Sequence, residues 1–461
     1  MEHLQSFMTL VDDFFANFSS FLWGFPMIIL LFGTHLFLTL RTGFVQRKTF
    51  TAIKMSFSSD KKSGGDVSQF GALMVALAAT IGTGNIIGVA TAISLGGPGA
   101  VFWCWLTGVF GIATKYSESL LSVKYRVKTE NGKMMGGAMV VLDKVLNMRW
   151  LSVIFCIFTA IAAFGIGNMT QANSISVLLK ENFDVPNYVT GIFLSVSVAV
   201  ILLGGIKWVA SVCKILVPTM AIVYMIGCVM LLILNFSFVD DAIVLILKSA
   251  FSSNAIGGGF AGGAVMLSMR YGIARGLFSN ESGLGSAPIV AAAAQTKNAV
   301  RQALISATGT FWDTVVICAL TGITLVSSIL ANPGMAYHEG TTLASLAFGK
   351  LHVWGPSILT FGLFTFVFST LLGWSYYAER TLEYLFGSKI VFYYRLAWVV
   401  CVFLGSVLKI SLVWNLSDCA NALMAIPNII MVLLMSGVVA KETRKYLWNN
   451  NLDAFDTEMA Q

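Results

Sequence analysis

The chain has 461 residues, 57% of them hydrophobic and 11% charged, with a mean hydropathy of +0.80 and a formal net charge of +7. Soluble domains of average make-up carry about 25% charged residues, and no Pro/Gly/Ser-rich linker divides this length into several such domains. That shortfall excludes a soluble enzyme, a disordered regulator and a nucleic-acid binder: most side chains must face lipid or each other, where an unpaired charge is costly. An all-α, polytopic membrane protein is expected.

A spanning helix needs about 20 mostly apolar residues. Residues 1–18 lack the basic start of a cleavable leader, and the first apolar run is Phe21 to Leu40. A polar stretch to Asp66 follows, then an uncharged run from Val67 through Thr114 that Gly96-Gly97-Pro98-Gly99 divides into two helices. Further runs are Leu151 to Leu179, Tyr188 to Gly204, Val209 to Phe236, a short Gly257 to Met269 continuing through a broken half to Ala294, Ile305 to Leu330, Trp354 to Tyr377, Val391 to Leu408 and Leu412 to Val439. Eleven spans result. Residues 1–66 form an N-terminal segment with one helix, 67–236 and 237–440 two sets of five, and 441–461 a tail. With the N-terminus outside, 25 of the 29 Lys and Arg fall on the cytoplasmic side, counting Lys115, Arg270 and Arg275 there. The tail is then cytoplasmic.

Two spans are interrupted by glycine, at Ile81-Gly82-Thr83-Gly84-Asn85 and at Gly257 to Gly263, and each begins a set of five whose last helix contains a proline, Pro218 or Pro427. Paired broken helices in matching places point to an inverted-repeat transporter. Unwound chain at membrane depth survives only where it lines a cavity or is buried in protein. Freed carbonyls can face a cation, and half-helix N-termini favour a carboxylate. Close helix packing through Gly84 and Gly88 is the competing explanation.

Few other polar groups lie in spans: Asn168, Gln171 and Asn173 in the fourth, Asp313 with Thr310 and Thr314 in the eighth, Ser369, Thr370 and Trp374 in the ninth. Hydroxyl and carbonyl oxygens suit a hard cation such as sodium. A back-bond to the preceding turn is the commoner use of a hydroxyl in a membrane helix. The four histidines lack metal-ligand spacing, and the seven cysteines form no CxxC pair. His35 is expected to bond a backbone carbonyl or sit at an interface, and Glu281 to be a helix-terminal charge in preference to a cytoplasmic gate contact.

Gly96-Gly97-Pro98-Gly99-Ala100-Val101-Phe102-Trp103-Cys104-Trp105-Leu106 resembles the signature of the alanine or glycine:cation symporter family, with Cys104 where Met is usual. Ala79-Thr80-Ile81-Gly82-Thr83-Gly84-Asn85-Ile86-Ile87-Gly88, Ala113-Thr114-Lys115-Tyr116-Ser117-Glu118 and the run Arg275 to Pro288 are similar to that family as well. Gly136-Gly137-Ala138-Met139-Val140-Val141 departs from its Gly-Gly-Pro-Met-Tyr-Tyr, and Ile87 stands where Ala is common.

The resemblance implies a LeuT-type fold of five plus five inverted helices with one extra N-terminal helix. It implies sodium-coupled symport of a small neutral amino acid, alanine or glycine, into the cell. The alternatives are a proton-coupled carrier of another neutral amino acid such as glutamine or serine, and a channel. By motif, Thr83, Gly84 and Asn85 would meet the substrate, Gln171 and Trp374 would line its pocket, and the glycine-rich chain with Phe260 and Gly262 would close it. Sodium would take carbonyls of Ala78 and Ile81 and hydroxyls of Ser369 and Thr370; Asp313 is a speculative second cation ligand. Sodium is the coupling ion, with no organic cofactor, and the expected setting is a bacterial plasma membrane, the expected state a monomer.

Overall fold

The computed structural model describes residues 2–58, 64–251, 261–337, 340–408 and 410–456. In chain order the long helices are α1 (Thr9–Arg41), the bent pair α2 (Gln69–Thr80) and α3 (Gly84–Gly96), α4 (Gly99–Lys124), α5 (Arg149–Glu181), α6 (Asn187–Leu203), α7 (Gly205–Leu234), α8 (Ala261–Asn280), α9 (Ala299–Ala331), α10 (Trp354–Phe386), α11 (Ile390–Val407) and α12 (Ser411–Leu434). Among the described residues, seven are long and apolar enough to cross a membrane, eight with the bent pair taken as one span. A two-stranded ribbon, Val127–Lys128 against Met134–Met135, is the one sheet found among them.

Local chemistry sets the ends of these helices. Ser68 caps α2 by accepting from the Gly71 N–H at 3.1 Å. Ile81 ends it in an extended conformation, ψ 97°, and α3 departs at 53°. Gly97, at φ +75°, turns the chain from α3 into α4. Pro218 and Pro427 lie inside α7 and α12, as the sequence requires.

The expected second break, Gly257 to Gly263, lies outside the described residues as far as Phe260. From Ala261 helix α8 runs through Gly262 and Gly263 to Asn280. Beyond it the chain unwinds at 281–287, where Glu281, Gly283 and Gly285 all have positive φ. This unwound stretch lies where buried side chains take up the released backbone groups. Glu118 accepts the Gly283 N–H, Ser286 donates to Glu281 Oε2 at 2.6 Å, and Asn428 donates to the Gly283 carbonyl at 2.9 Å.

Three basic residues change place. Ser268 of α8 donates to the Gly96 carbonyl at the α3–α4 turn, so Arg270 and Arg275 stand toward that end of the molecule. Lys297 and Arg301 lie at the other end, where Arg301 pairs with Asp453 and bonds Ser58. Lys115 is buried inside α4, donating to the Glu281 carbonyl at 3.0 Å, and belongs to no loop. His35 is also fully buried, on the hydroxyl of Thr114 at 2.8 Å, where a carbonyl or an interface was expected.

The two broken segments meet. Val67 bridges to Ala294, and Arg126 at the end of α4 donates to the carbonyls of Ala292, Ala294 and Gly64. Helix α1 packs on α12: Ser19 Oγ donates to Asp418 Oδ2 at 2.9 Å and Trp23 Nε1 to the Asp418 carbonyl at 3.1 Å.

Candidate functional site

A small cavity of about 20 Å³ lies where the two breaks face α5, α10 and α12. Thr83, Gly84, Gln171, Thr370 and Trp374 line it together, with Ala79, Thr80, Gly82 and Ile166. From the second break come Phe278, Ser279 and Glu281, and from α12 comes Asn421. That space admits a water-sized body, so an amino acid enters only after the surrounding helices part.

Irregular backbone presents several of the lining groups. Gln171 follows a π-helical turn, Gly165–Met169, in α5; such turns recur at functional sites because they free a backbone group. The Gln171 amide donates to the Ile166 carbonyl at 3.0 Å and reaches Thr83 Oγ1 at 3.5 Å. Its Oε1 is buried without a partner, and so is Oδ1 of Asn421. Trp374 lies against Gly167, where a Cβ would stand 2.4 Å from the tryptophan's own.

Oxygens gather where α10 crosses the end of α2. Ser369 Oγ lies 3.1 Å from the Ala78 carbonyl, and Ile81, in its extended conformation, releases its carbonyl from the helical ladder. Thr370 Oγ1 donates to the Phe366 carbonyl at 2.9 Å, the common back-bond, which leaves its lone pairs for a cation. Gly82 permits this crossing: a Cβ there would come within 2.8 Å of Thr370 Oγ1. Carbonyl and hydroxyl oxygens of this kind match a hard monovalent ion.

Three expected site residues stand elsewhere. Asn85 is fully buried but turned from the cavity: its Oδ1 accepts the Gly82 N–H at 2.8 Å and its amide donates to Asp313 Oδ1 at 2.6 Å. It orders the break from behind. Asp313 also accepts from Ser279 at 3.0 Å and from Thr314 at 2.6 Å, so its carboxylate is saturated by side chains. Gly262 sits at the start of α8, about 25 Å along the helix axis from Ser279 at 1.5 Å per residue. Phe260 lies outside the described residues.

A model of the sodium:alanine symporter family matches residues 8–459. The chain belongs to that family. The sodium/alanine symporter AgcS of Methanococcus maripaludis is 48% identical over 450 residues, 96% of this chain and 98% of that protein. An uncharacterised transporter of Haemophilus influenzae is 47% identical over 453 residues, covering 97% and 99%. The probable sodium/glutamine symporter GlnT of Bacillus subtilis is 34% identical over 429 residues, covering 92% and 88%. Among solved structures, MhsT in complex with L-phenylalanine superposes with a TM-score of 0.59 over 84% of this chain and 95% of that one, at 13% identity. The architecture is thus LeuT-type, and this member of the sodium:alanine symporter family is a multi-pass membrane transporter rather than an enzyme.

Sequence reasoning missed several groups around the cavity of this symporter-family chain. Glu281, read as a helix-terminal charge in preference to a gate contact, lines the cavity. Lys115 and Glu118 lie behind it, tied to the Glu281 carbonyl and the Gly283 N–H. Buried ionisable groups at membrane depth signal function, but the pairing of 118 with 283 has no local signature.

Proposed function

We propose that the chain carries a small neutral amino acid, alanine or glycine, into the cell together with sodium. The cavity between the two breaks supports this reading most directly. It offers backbone dipoles, hydroxyls and two unpartnered amide oxygens, Gln171 Oε1 and Asn421 Oδ1, which suit the ammonium of a zwitterion. Sodium takes the Ala78 and Ile81 carbonyls with the Ser369 and Thr370 hydroxyls. The zwitterion takes Thr83, Gly84, Gln171 and Trp374, while Asn85 and Asp313 hold the break in shape. Kinship with a sodium/alanine symporter favours alanine.

Sodium fastens the end of α2 to α10 and thereby sets Thr83 and Gly84 for the substrate. The two five-helix sets, 67–236 and 237–440, then rock about the filled cavity, exposing it to one side at a time. Eleven spans, an outer N-terminus, a cytoplasmic tail, a bacterial plasma membrane and a monomeric unit complete the reading. C-terminal reporter fusions test the orientation.

Radiolabelled alanine uptake into proteoliposomes is the deciding experiment, run with and without an inward sodium gradient and challenged by unlabelled glycine, serine and glutamine. Uphill accumulation that needs sodium and yields to glycine is the expected outcome. Accumulation driven equally well by a proton gradient alone, or a failure to concentrate the solute, overturns the coupling.

A further inference from the structure

An apolar slot of about 320 Å³ lies between α2 and α7. On α2 its wall is a stripe of Phe70, Leu73, Met74, Leu77 and Ile81, the spacing of one helix face. At 1.5 Å per residue the stripe is about 16 Å long. Facing it, α7 presents Val217, Pro218, Ala221, Ile222 and Met225, again a single face. Phe57, just after the short helix Thr49–Ser56, stands at the Phe70 end, the two ring centroids 5.4 Å apart. Ser56 supplies the one hydroxyl among the lining residues, and it is bonded to the Ile53 carbonyl at 2.7 Å. The slot opens sideways: Ile222 and Phe57 are 52% and 74% exposed, on surface that lipid covers in a membrane protein.

Lys214 stands at the Phe70 end. It precedes Val217 and Pro218 by one turn of α7 and reaches the start of α2. A Cβ on Gly71 would lie 2.9 Å from Lys214 Cε and 3.5 Å from Nζ. The ammonium is half-buried and makes no hydrogen bond or ion pair among the described residues. An apolar slot stays dry and accepts apolar ligands, whereas a half-buried ammonium without a partner is costly until an anion meets it. Both demands are met by a hydrocarbon chain beneath a negative head. We propose that the slot binds one acyl chain of an anionic membrane phospholipid, with the phosphate on Lys214. The far end of the slot touches the transport machinery. Ile81 closes the α2 stripe and gives its carbonyl to the proposed sodium set. Trp312 and Ile317, which also line the slot, belong to the π-helical run Phe311–Cys318 that carries Asp313, the partner of Asn85. A chain lodged there backs the end of α2 against α7 and thereby tightens sodium binding. That consequence rests on the sodium assignment; the lipid site does not.

The experiment places the full-length protein in phosphatidylcholine nanodiscs containing phosphatidylglycerol with a photoreactive diazirine in its acyl chain. Cross-linked peptides are then mapped by mass spectrometry. Labels should concentrate on residues 70–81 and 214–225. Ala221→Trp fills the slot from a half-buried position and should remove them, with Ala221→Phe in its place should that variant not fold. Lys214→Gln should lower labelling by phosphatidylglycerol about fivefold, as expected for one lysine at an anionic surface. Labelling by phosphatidylcholine bearing the same diazirine should be weaker and indifferent to Lys214→Gln. Labels spread evenly over the lipid-facing helices, or unchanged by filling the slot, overturn the site. Equal labelling by the two lipids overturns the anionic head. Sodium titrations in nanodiscs with and without phosphatidylglycerol complete the test. Half-maximal sodium should fall when the anionic lipid is present, and Ala221→Trp should abolish that response. A labelled slot with an indifferent sodium titration overturns the link to the cation and leaves the lipid site standing.

Discussion

Gln171 and Thr370 line one cavity, and at each a single side-chain atom carries the chemistry. The buried Oε1 of Gln171 has no partner, so an arriving ammonium gains a charge-assisted hydrogen bond there. Such a bond is worth about 1.5–3 kcal/mol, roughly a tenfold to hundredfold change in affinity. Gln171→Leu should therefore raise the alanine concentration for half-maximal uptake by about tenfold or more, leaving the sodium titration at saturating alanine in place. An unchanged alanine titration would sink the assignment. Thr370→Ala has the opposite profile: it removes an oxygen beside the Ala78 carbonyl and Ser369, so half-maximal sodium should rise while alanine affinity at saturating sodium is spared. An identical sodium curve would move the cation elsewhere. Residue types alone made both residues readable. Asn85 was not so readable, because Asp313, 228 positions away, occupies its amide.

Elements meet where small residues let backbones close. Helix α10 crosses α2 at Gly373, where an added Cβ would stand 2.6 Å from the backbone nitrogen of Ala79. Neither partner has a flexible end to move, so Gly373→Ala must push the two helices apart and pull Ser369 from the Ala78 carbonyl. At Gly309 in α9, a new Cβ meets only Leu73 and Leu77 side chains, at 3.7 and 3.9 Å. Alanine there costs no packing and gains up to about 1 kcal/mol of helix propensity. Thermal unfolding of the purified protein should fall by several degrees for Gly373→Ala and hold or rise for Gly309→Ala; equal midpoints would contradict the tight crossing. Most helices were legible from apolar run length, and the first break from glycine flanked by polar residues. The unwound stretch Glu281 to Ala287 was not legible, because it is held through Glu118, Ser286 and Asn428. Partners 165 and 145 positions distant leave no local trace.

At the scale of the whole molecule, the structure revises the charge pattern at Lys115, which is buried against the Glu281 carbonyl, and at Arg270 and Arg275, which line a cavity beside α1. On the proposed assignment sodium's oxygens, from Ala78, Ile81, Ser369 and Thr370, lie on the first break and the α10 face touching it. The proposed substrate contacts, from Thr83, Gly84, Gln171 and Trp374, lie on the same break, on α10 and on α5. Whichever ligand arrives first orders a segment that the other also needs ordered, so each lowers the cost of binding the other. Linkage makes the effect equal in both directions, typically about 5- to 150-fold. Calorimetry on the purified protein can measure the alanine Kd at zero and saturating sodium, and the sodium Kd at zero and saturating alanine. The two ratios should agree and exceed unity. Ratios of one would mean that the ligands do not share the break, whatever the uptake data show. In Thr370→Ala, where sodium binds less tightly but alanine affinity at saturating sodium is spared, both sodium Kd values should rise together and both ratios should hold.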